Sequence, residues 1–360
     1  MSNWDSIPYI WEPRGPYACD ECGAPHPPKQ CGRCRLAYYC DVECQRAAFV
    51  PRHRAVCDAS VRSPSLETVL RMASGTGREG SVLGFLWQDE ALGLRAASRG
   101  CREAVATHAW DDWDNKEGKQ SHIVGSVASW RACFPKARTA NMGDNKTVTD
   151  ADFALLEGIH KLNMGGCNQA TITNAAFAHL RGIHMLYMGG CNQATITDAA
   201  FAHLRGIHSL DMCGCNQATI TDAAFMNLRG IHTLYMGECN QATITDVAFA
   251  HLRGIHTLGM HDCNQATITD AAFAHLRGVR ELYMSGCTQS TISDAAFAHL
   301  RGIHTLDIED CYQITDAAME QLRGISALDI RGCPKIHAVS RKMLWRANKK
   351  VDLTFKEARD

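Results

Sequence analysis

Residues 182–205 read GIHMLYMGGCNQATITDAAFAHLR, and the same unit returns, slightly altered, on both sides of them. Its cysteine marks the period. Cys167, Cys191, Cys215, Cys239, Cys263, Cys287 and Cys311 are spaced by 24 residues, and Cys333 follows after 22. Self-similarity at such a period is the signature of a solenoid. Within the unit, Ile183, Leu186, Met188, Cys191, Ile196, Phe201 and Leu204 begin with strand alternation and end with helical spacing, which predicts a strand, a turn and a short helix. Thr197 or Asp198 is suited to cap the helix, and Gly206 stands where a left-handed residue would stop it. One unit cannot bury its apolar edge alone, so about eight stacked coils over 147–338 are expected to share one core.

Composition bounds the rest. With 360 residues, 46% of them hydrophobic, the chain has room for two or three folded units. The start, MSNWDSIPYIWEPRGPY, lacks the apolar run of a signal peptide, and no eighteen apolar residues follow one another, so no membrane span is expected. The expected location is inside the cell, in cytoplasm or nucleus. There thiols stay reduced, and the eighteen cysteines point to metal ligands and buried thiols rather than disulfides. A net charge of −1 offers no overall basic footprint, and nucleic acid is not expected as a partner.

Seven cysteines crowd into Cys19–Cys57. Cys19-x2-Cys22, Cys31-x2-Cys34, Cys40-x3-Cys44 and His53-x3-Cys57 supply the eight ligands that two tetrahedral zinc ions require. A CxxC turn aims two thiolates at one point, and i, i+4 pairs share a helical face. No coordination position is left open, which predicts structural rather than catalytic sites. So short a segment buries little core, so metal binding is expected to supply its folding energy.

This ordered series, with Tyr39 before Cys40 and Gln45 after Cys44, resembles a MYND-type zinc finger. The resemblance implies interleaved sites: Cys19, Cys22, Cys40 and Cys44 around one zinc, and Cys31, Cys34, His53 and Cys57 around the other. It also implies binding of short peptides from partner proteins. Phe49 stands where the family usually has Trp. The 24-residue units in turn resemble the cysteine-containing leucine-rich repeats, written LxxLxLxxC followed by ITD and a short helix; that family's unit is slightly longer.

Between finger and repeats, residues 81–110 carry Phe85, Leu86, Leu94, Ala97, Cys101 and Val105 at helical spacing, which predicts two or three packed helices. Their order of apolar and basic residues is similar to an F-box, the motif that docks on the Skp-type adaptor of cullin ubiquitin ligases. A helical spacer that caps the solenoid is the alternative. The run DDWDNKEG reads as a solvated loop.

In a strand written xLxLx, the leucine positions face the core and the x positions face the concave surface. The middle x reads Asn163, Tyr187, Asp211, Tyr235, Gly259, Tyr283, Asp307 and Asp329 from coil to coil. Core letters barely change while this column does, so Tyr187, Asp211, Tyr235, Tyr283 and Asp307 are the candidate partner-binding residues, suited to a basic or amphipathic protein segment. Cys215 is expected to be buried and Cys213 to be an exposed, oxidisable thiol beside it. His160, His184, His208, His232, His256 and His304 recur before the strands at a spacing that permits stacking or metal bridging, although duplicated units repeat surface residues without need. No nucleophile elbow, phosphate loop or HExxH motif is present, so no catalysis is expected.

The expected organisation is therefore an N-terminal tail (1–18), a two-zinc finger (19–57), a short helical, F-box-like segment (64–112), a linker and cap (113–146), an α/β leucine-rich-repeat solenoid (147–338), and a C-terminal helix and tail (339–360). The expected role is that of a monomeric protein–protein adaptor. The alternatives are substrate receptor of a ubiquitin ligase and transcriptional regulator acting through the finger.

Overall fold

The structure is a computed structural model that describes residues 29–30, 38–39, 83, 86, 88–97, 99–111 and 122–337. The chain divides into two units, 1–75 with 80–82, and 76–79 with 83–360. In the first, β1 (Lys29–Gln30) and β2 (Tyr38–Tyr39) pair antiparallel, with Lys29 opposite Tyr39 and Gln30 opposite Tyr38. In sequence Cys31 follows β1 directly and Cys40 follows β2. The eight expected zinc ligands, Phe49 and the expected C-terminal helix lie outside the described residues.

Among the described residues, the first α-helices of the second unit are α1 (Gln88–Ala97), α2 (Arg99–Thr107) and α3 (Val127–Cys133). They enclose Trp110, Trp130 and Phe134, all buried, with the Trp110 and Phe134 rings edge to face at 5.5 Å. Each buried indole N–H finds an acceptor: Trp110 Nε1 donates to the Val105 carbonyl at 2.9 Å and Trp130 Nε1 to Gln88 Oε1 at 2.7 Å. Gln88 Nε2 in turn donates to the Thr139 carbonyl at 3.3 Å. A buried polar chain thus ties α1 to the first strand of the sheet behind it.

That sheet runs β3 (Thr139–Asn141), β4 (Lys161–Asn163), β5 (Met185–Tyr187), β6 (Ser209–Asp211), β7 (Thr233–Tyr235), β8 (Thr257–Gly259), β9 (Glu281–Tyr283), β10 (Thr305–Asp307) and β11 (Ala327–Asp329). Its nine strands pair in parallel and in chain order, a leucine-rich-repeat-like solenoid. β3 lies within the stretch expected as linker and cap. Its coil was hidden in the sequence because Ala140 pairs where later strands have Leu, and Asn145 stands at the cysteine position.

Each later coil leaves its strand through a turn, forms one helical turn on the far side, and returns. In the coil quoted first, the helix is α6 (Asp198–Phe201), following α4 (Asp150–Phe153) and α5 (Asn174–Phe177) and followed by α7 (Asp222–Phe225), α8 (Asp246–Phe249) and α9 (Asp270–Phe273). The coil after β9 has a 3-10 turn, Asp294–His299, and α10 (Asp316–Met319) follows β10. The Phe, Leu and Ile positions of every coil stack into one continuous core; Leu186, Ile196 and Phe201 are each 0% exposed. Thr197 caps α6 by accepting from Ala199 N at 3.2 Å. Gly206 has φ +83°, where a Cβ would be strained although space around it is open.

Hydrogen bonds between coils fix the stacking. Cys191 Sγ donates to the Met164 carbonyl at 3.2 Å, and the same bond recurs from Cys215 to Met188 and from Cys239 to Met212. Thr195 Oγ1 donates to the Ile172 carbonyl at 2.7 Å. Gln217 Nε2 donates to the Cys191 carbonyl at 3.0 Å. The periodic residues are therefore mortar between units as well as filling within them.

Candidate partner-binding face

The strand pairing sets Tyr187, Asp211, Tyr235, Gly259, Tyr283, Asp307 and Asp329 side by side in register. All but the buried Gly259 are partly exposed, while the leucines beside them are sealed in the core. The sequence-derived column is thus one continuous row on the open sheet face.

Its members differ in how they are held. Asp211 Oδ1 accepts from Cys213 N at 2.9 Å, and Asp307 Oδ1 accepts from Glu309 N at 3.0 Å. Asn163 and Asp329 brace their own turns in the same way. Tyr235 leans on the neighbouring strand instead. A Cβ at Gly259 would collide with the Tyr235 ring, and one at Gly237 would collide with the imidazole of His261. These two glycines make room for an aromatic ring from the adjacent strand, and His261, at the outward strand position that Cys213 holds two coils earlier, joins the face.

The electrostatics are acidic. Glu281 accepts from Thr257 Oγ1 at 3.2 Å, and Tyr283 Oη lies 3.4 Å from it. Burial, then nearby acids, pushes the phenols of Tyr187, Tyr235 and Tyr283 above their ordinary range, so they stay neutral donors. Burial also raises the Asp307 carboxyl. Asp307, Glu309 and Asp329 form the one acidic group close enough to share a metal among the described residues. Arg331 already lies on it, 2.6 Å from Glu309 Oε2 and 2.7 Å from Asp329 Oδ2.

Cys215 is buried as expected, its thiol pushed up to about 12, chiefly by burial. Cys213 departs from expectation: it is half-buried rather than exposed, and its thiol is raised by burial and by the Asp211 carboxylate it bonds. Both effects favour its thiol over the thiolate.

On the edge where the strands begin, His160, His184, His208, His232 and His256 stack in one file. Successive ring centroids are 4.8, 4.5, 4.6 and 4.4 Å apart with interplanar angles of 1, 6, 18 and 15°. Parallel rings send their in-plane lone pairs in parallel directions, so this arrangement stacks and does not converge on a metal.

Residues 19–57 match the MYND finger family. That finger is a zinc-binding module, so the N-terminal unit binds zinc. No curated protein matches the chain. Solved structures similar in fold include a chain of the Toll–Spatzle complex from Drosophila, 12% identical with a TM-score of 0.47, covering 71% of this chain and 38% of that one. A leucine-rich-repeat protein of Leptospira interrogans is 14% identical with a TM-score of 0.49, covering 71% of this chain and 62% of that one. Internalin C2 of Listeria monocytogenes is 22% identical with a TM-score of 0.41, covering 57% and 84% respectively. This chain therefore spans well under half the length of the matched chain of the Toll–Spatzle complex. Among the described residues no helix is long and apolar enough to cross a membrane.

Proposed function

We propose that the protein is a non-enzymatic protein–protein adaptor acting inside the cell, with a finger holding two zinc ions and a solenoid whose concave face receives a basic or amphipathic segment of a protein partner. The observation that carries this reading is the in-register row of Tyr187, Asp211, Tyr235, Tyr283 and Asp307, which varies between coils whose buried residues scarcely vary. Neutral phenols and carboxylates in alternation suit a cationic, partly apolar segment.

Because Asp211 and Asp307 also hold their turns, the informative substitution is Asp→Asn, which keeps an acceptor oxygen and removes the charge. Binding of an amphipathic Lys/Leu peptide, measured calorimetrically on the full chain, is expected to weaken about tenfold in the D211N/D307N double variant. Equal affinity would defeat the assignment. Metal analysis of the same preparation is expected to return two zinc ions per chain; one or none would defeat the two-site ligand set.

The helices before the solenoid support a cap better than a dock. Cys101, Ala104 and Val105 of α2 are buried, and Gln88 of α1 is tied to the first strand. The F-box-like reading, and with it a ligase-receptor role, predicts capture of a Skp-type adaptor that is lost on Leu94→Asp, a substitution at a partly exposed site. Recruitment of transcription partners through the finger is the third reading.

A further inference from the structure

The charges of the solenoid are sorted by side. Every Lys and Arg between Gly158 and Ile330 falls in the short stretch that runs from the end of one helix to the start of the next strand: Lys161, Arg280, and seven arginines at one repeat position from Arg181 to Arg323. Most acids of the repeats lie elsewhere, at the helix starts such as Asp198 and Asp222, and in the turns after the strands, such as Glu238, Asp262 and Asp310. The chain's near-zero net charge hides this separation.

The seven arginines are exposed, and among the described residues none of them forms an ion pair. Six of them, from Arg181 to Arg301, are braced on neutral acceptors one coil further on. Arg181 Nε donates to His203 Nδ1 at 3.3 Å, Arg229 Nε to His251 Nδ1 at 3.2 Å, and Arg205 Nε to Asn227 Oδ1 at 2.9 Å. Such bonds orient each guanidinium while leaving its charge and most of its N–H donors uncommitted. The stacked histidines form a second row on the same edge, continued by Arg280 after His256. The acids on this edge are few: Glu157 pairs with His179 at the first coil, Asp111 pairs with Lys161, and Glu281 and Glu320 stand toward the far end.

We propose that this edge is a binding track for an extended acidic segment of a polypeptide. From Arg181 to Arg301 the arginines recur in six consecutive coils, which at a strand spacing of about 4.8 Å gives a row about 24 Å long. An extended chain sets same-side carboxylates about 6.8 Å apart, so roughly eight acidic residues span the row, and the flexible arginine stems absorb the difference in pitch. Single-stranded nucleic acid fits less well, because the track carries no Tyr, Trp or Phe and its imidazoles already stack on one another, which leaves few ring faces for bases. A long polyanion would also meet the acidic opposite edge of a nearly neutral protein. The track is separate from the concave face, and its occupant has the opposite charge.

The test is fluorescence anisotropy at low salt with the full chain and a labelled oligo-glutamate of about twelve residues, beside an oligothymidylate of similar length. Oligo-glutamate is expected to bind and to be released by salt. The triple variant R205Q/R229Q/R253Q should bind it about tenfold more weakly, as loss of three exposed charge contacts would give. D211N/D307N should bind as the parent does, which separates this site from the concave one. R253Q/R277Q/R301Q serves in the same role if the first triple variant does not fold. Absence of oligo-glutamate binding, an unchanged affinity in the folded triple variant, or tighter binding of the oligothymidylate would each overturn the proposal.

Discussion

At the scale of single residues, Asp222 shows how a repeat protein spends its polar side chains. A helix-start aspartate is ordinarily read as a cap or dipole partner for its own helix. Here Asp222 Oδ1 accepts from Thr245 N and Oδ2 from Thr245 Oγ1, both at 2.7 Å, so it serves the following coil. Its own helix is capped by Thr221, which accepts from Ala223 N. Asp222→Ala should therefore lower stability by about 1–3 kcal/mol, since it strands a donor that stacking has removed from water. Asp222→Asn should cost much less, because Asn174 already fills this place for Thr197, with bonds of 2.9 Å to its backbone N and to its hydroxyl. The urea midpoints of the two variants test the contrast. The sequence left Thr197 and Asp198 as rival caps for one helix; it could not separate them because the aspartate's partner lies 23 residues away and meets it only once coils stack.

At the scale of elements, the histidine file has a pH consequence with a definite sign. Partial burial, followed by the charge of neighbouring imidazoles and bases, lowers the pKa of His184, His208 and His232 from the ordinary value near 6.5. Arg138 and Lys161 face the first ring of the file with Asp111, and Glu281 faces its far end. In the unfolded chain these groups take up protons first as the pH falls. Their contribution to stability is thus complete above about pH 6.5 and is lost as the pH drops through the lower folded values. The rings are largely solvated, so each effect is small and only the file as a whole is measurable. The melting temperature should fall more between pH 7.5 and 5.5 in the parent than in His208→Gln/His232→Gln, and equal slopes would remove the histidines from the account. The recurrence of these residues was plain in the sequence. Their orientation was not, because stacking depends on the backbone placing successive His residues one strand spacing apart with parallel side chains.

At the scale of the whole molecule, what was legible followed from repetition. The strand, turn and helix of each unit, the burial of Cys215 and the left-handed Gly206 all come from letters that recur. What was obscure came from single departures. The coil of β3 carries Ala140 and Asn145 in place of Leu and Cys, and Cys213 was drawn half under cover by Asp211 and Gly237. The segregated arginines were visible as letters, yet only the folded solenoid turns a period into a side. Identical mortar between unlike faces has an evolutionary consequence. Excising residues 206–229 as a cassette would join Arg205 to Gly230 and keep the reading LRGIH at the splice. Asp198 would then clasp Thr245 as it now clasps Thr221, while Tyr187 would gain Tyr235 as a neighbour in place of Asp211. Whole-unit recombination therefore edits the recognition surface without touching the rules by which the chain folds.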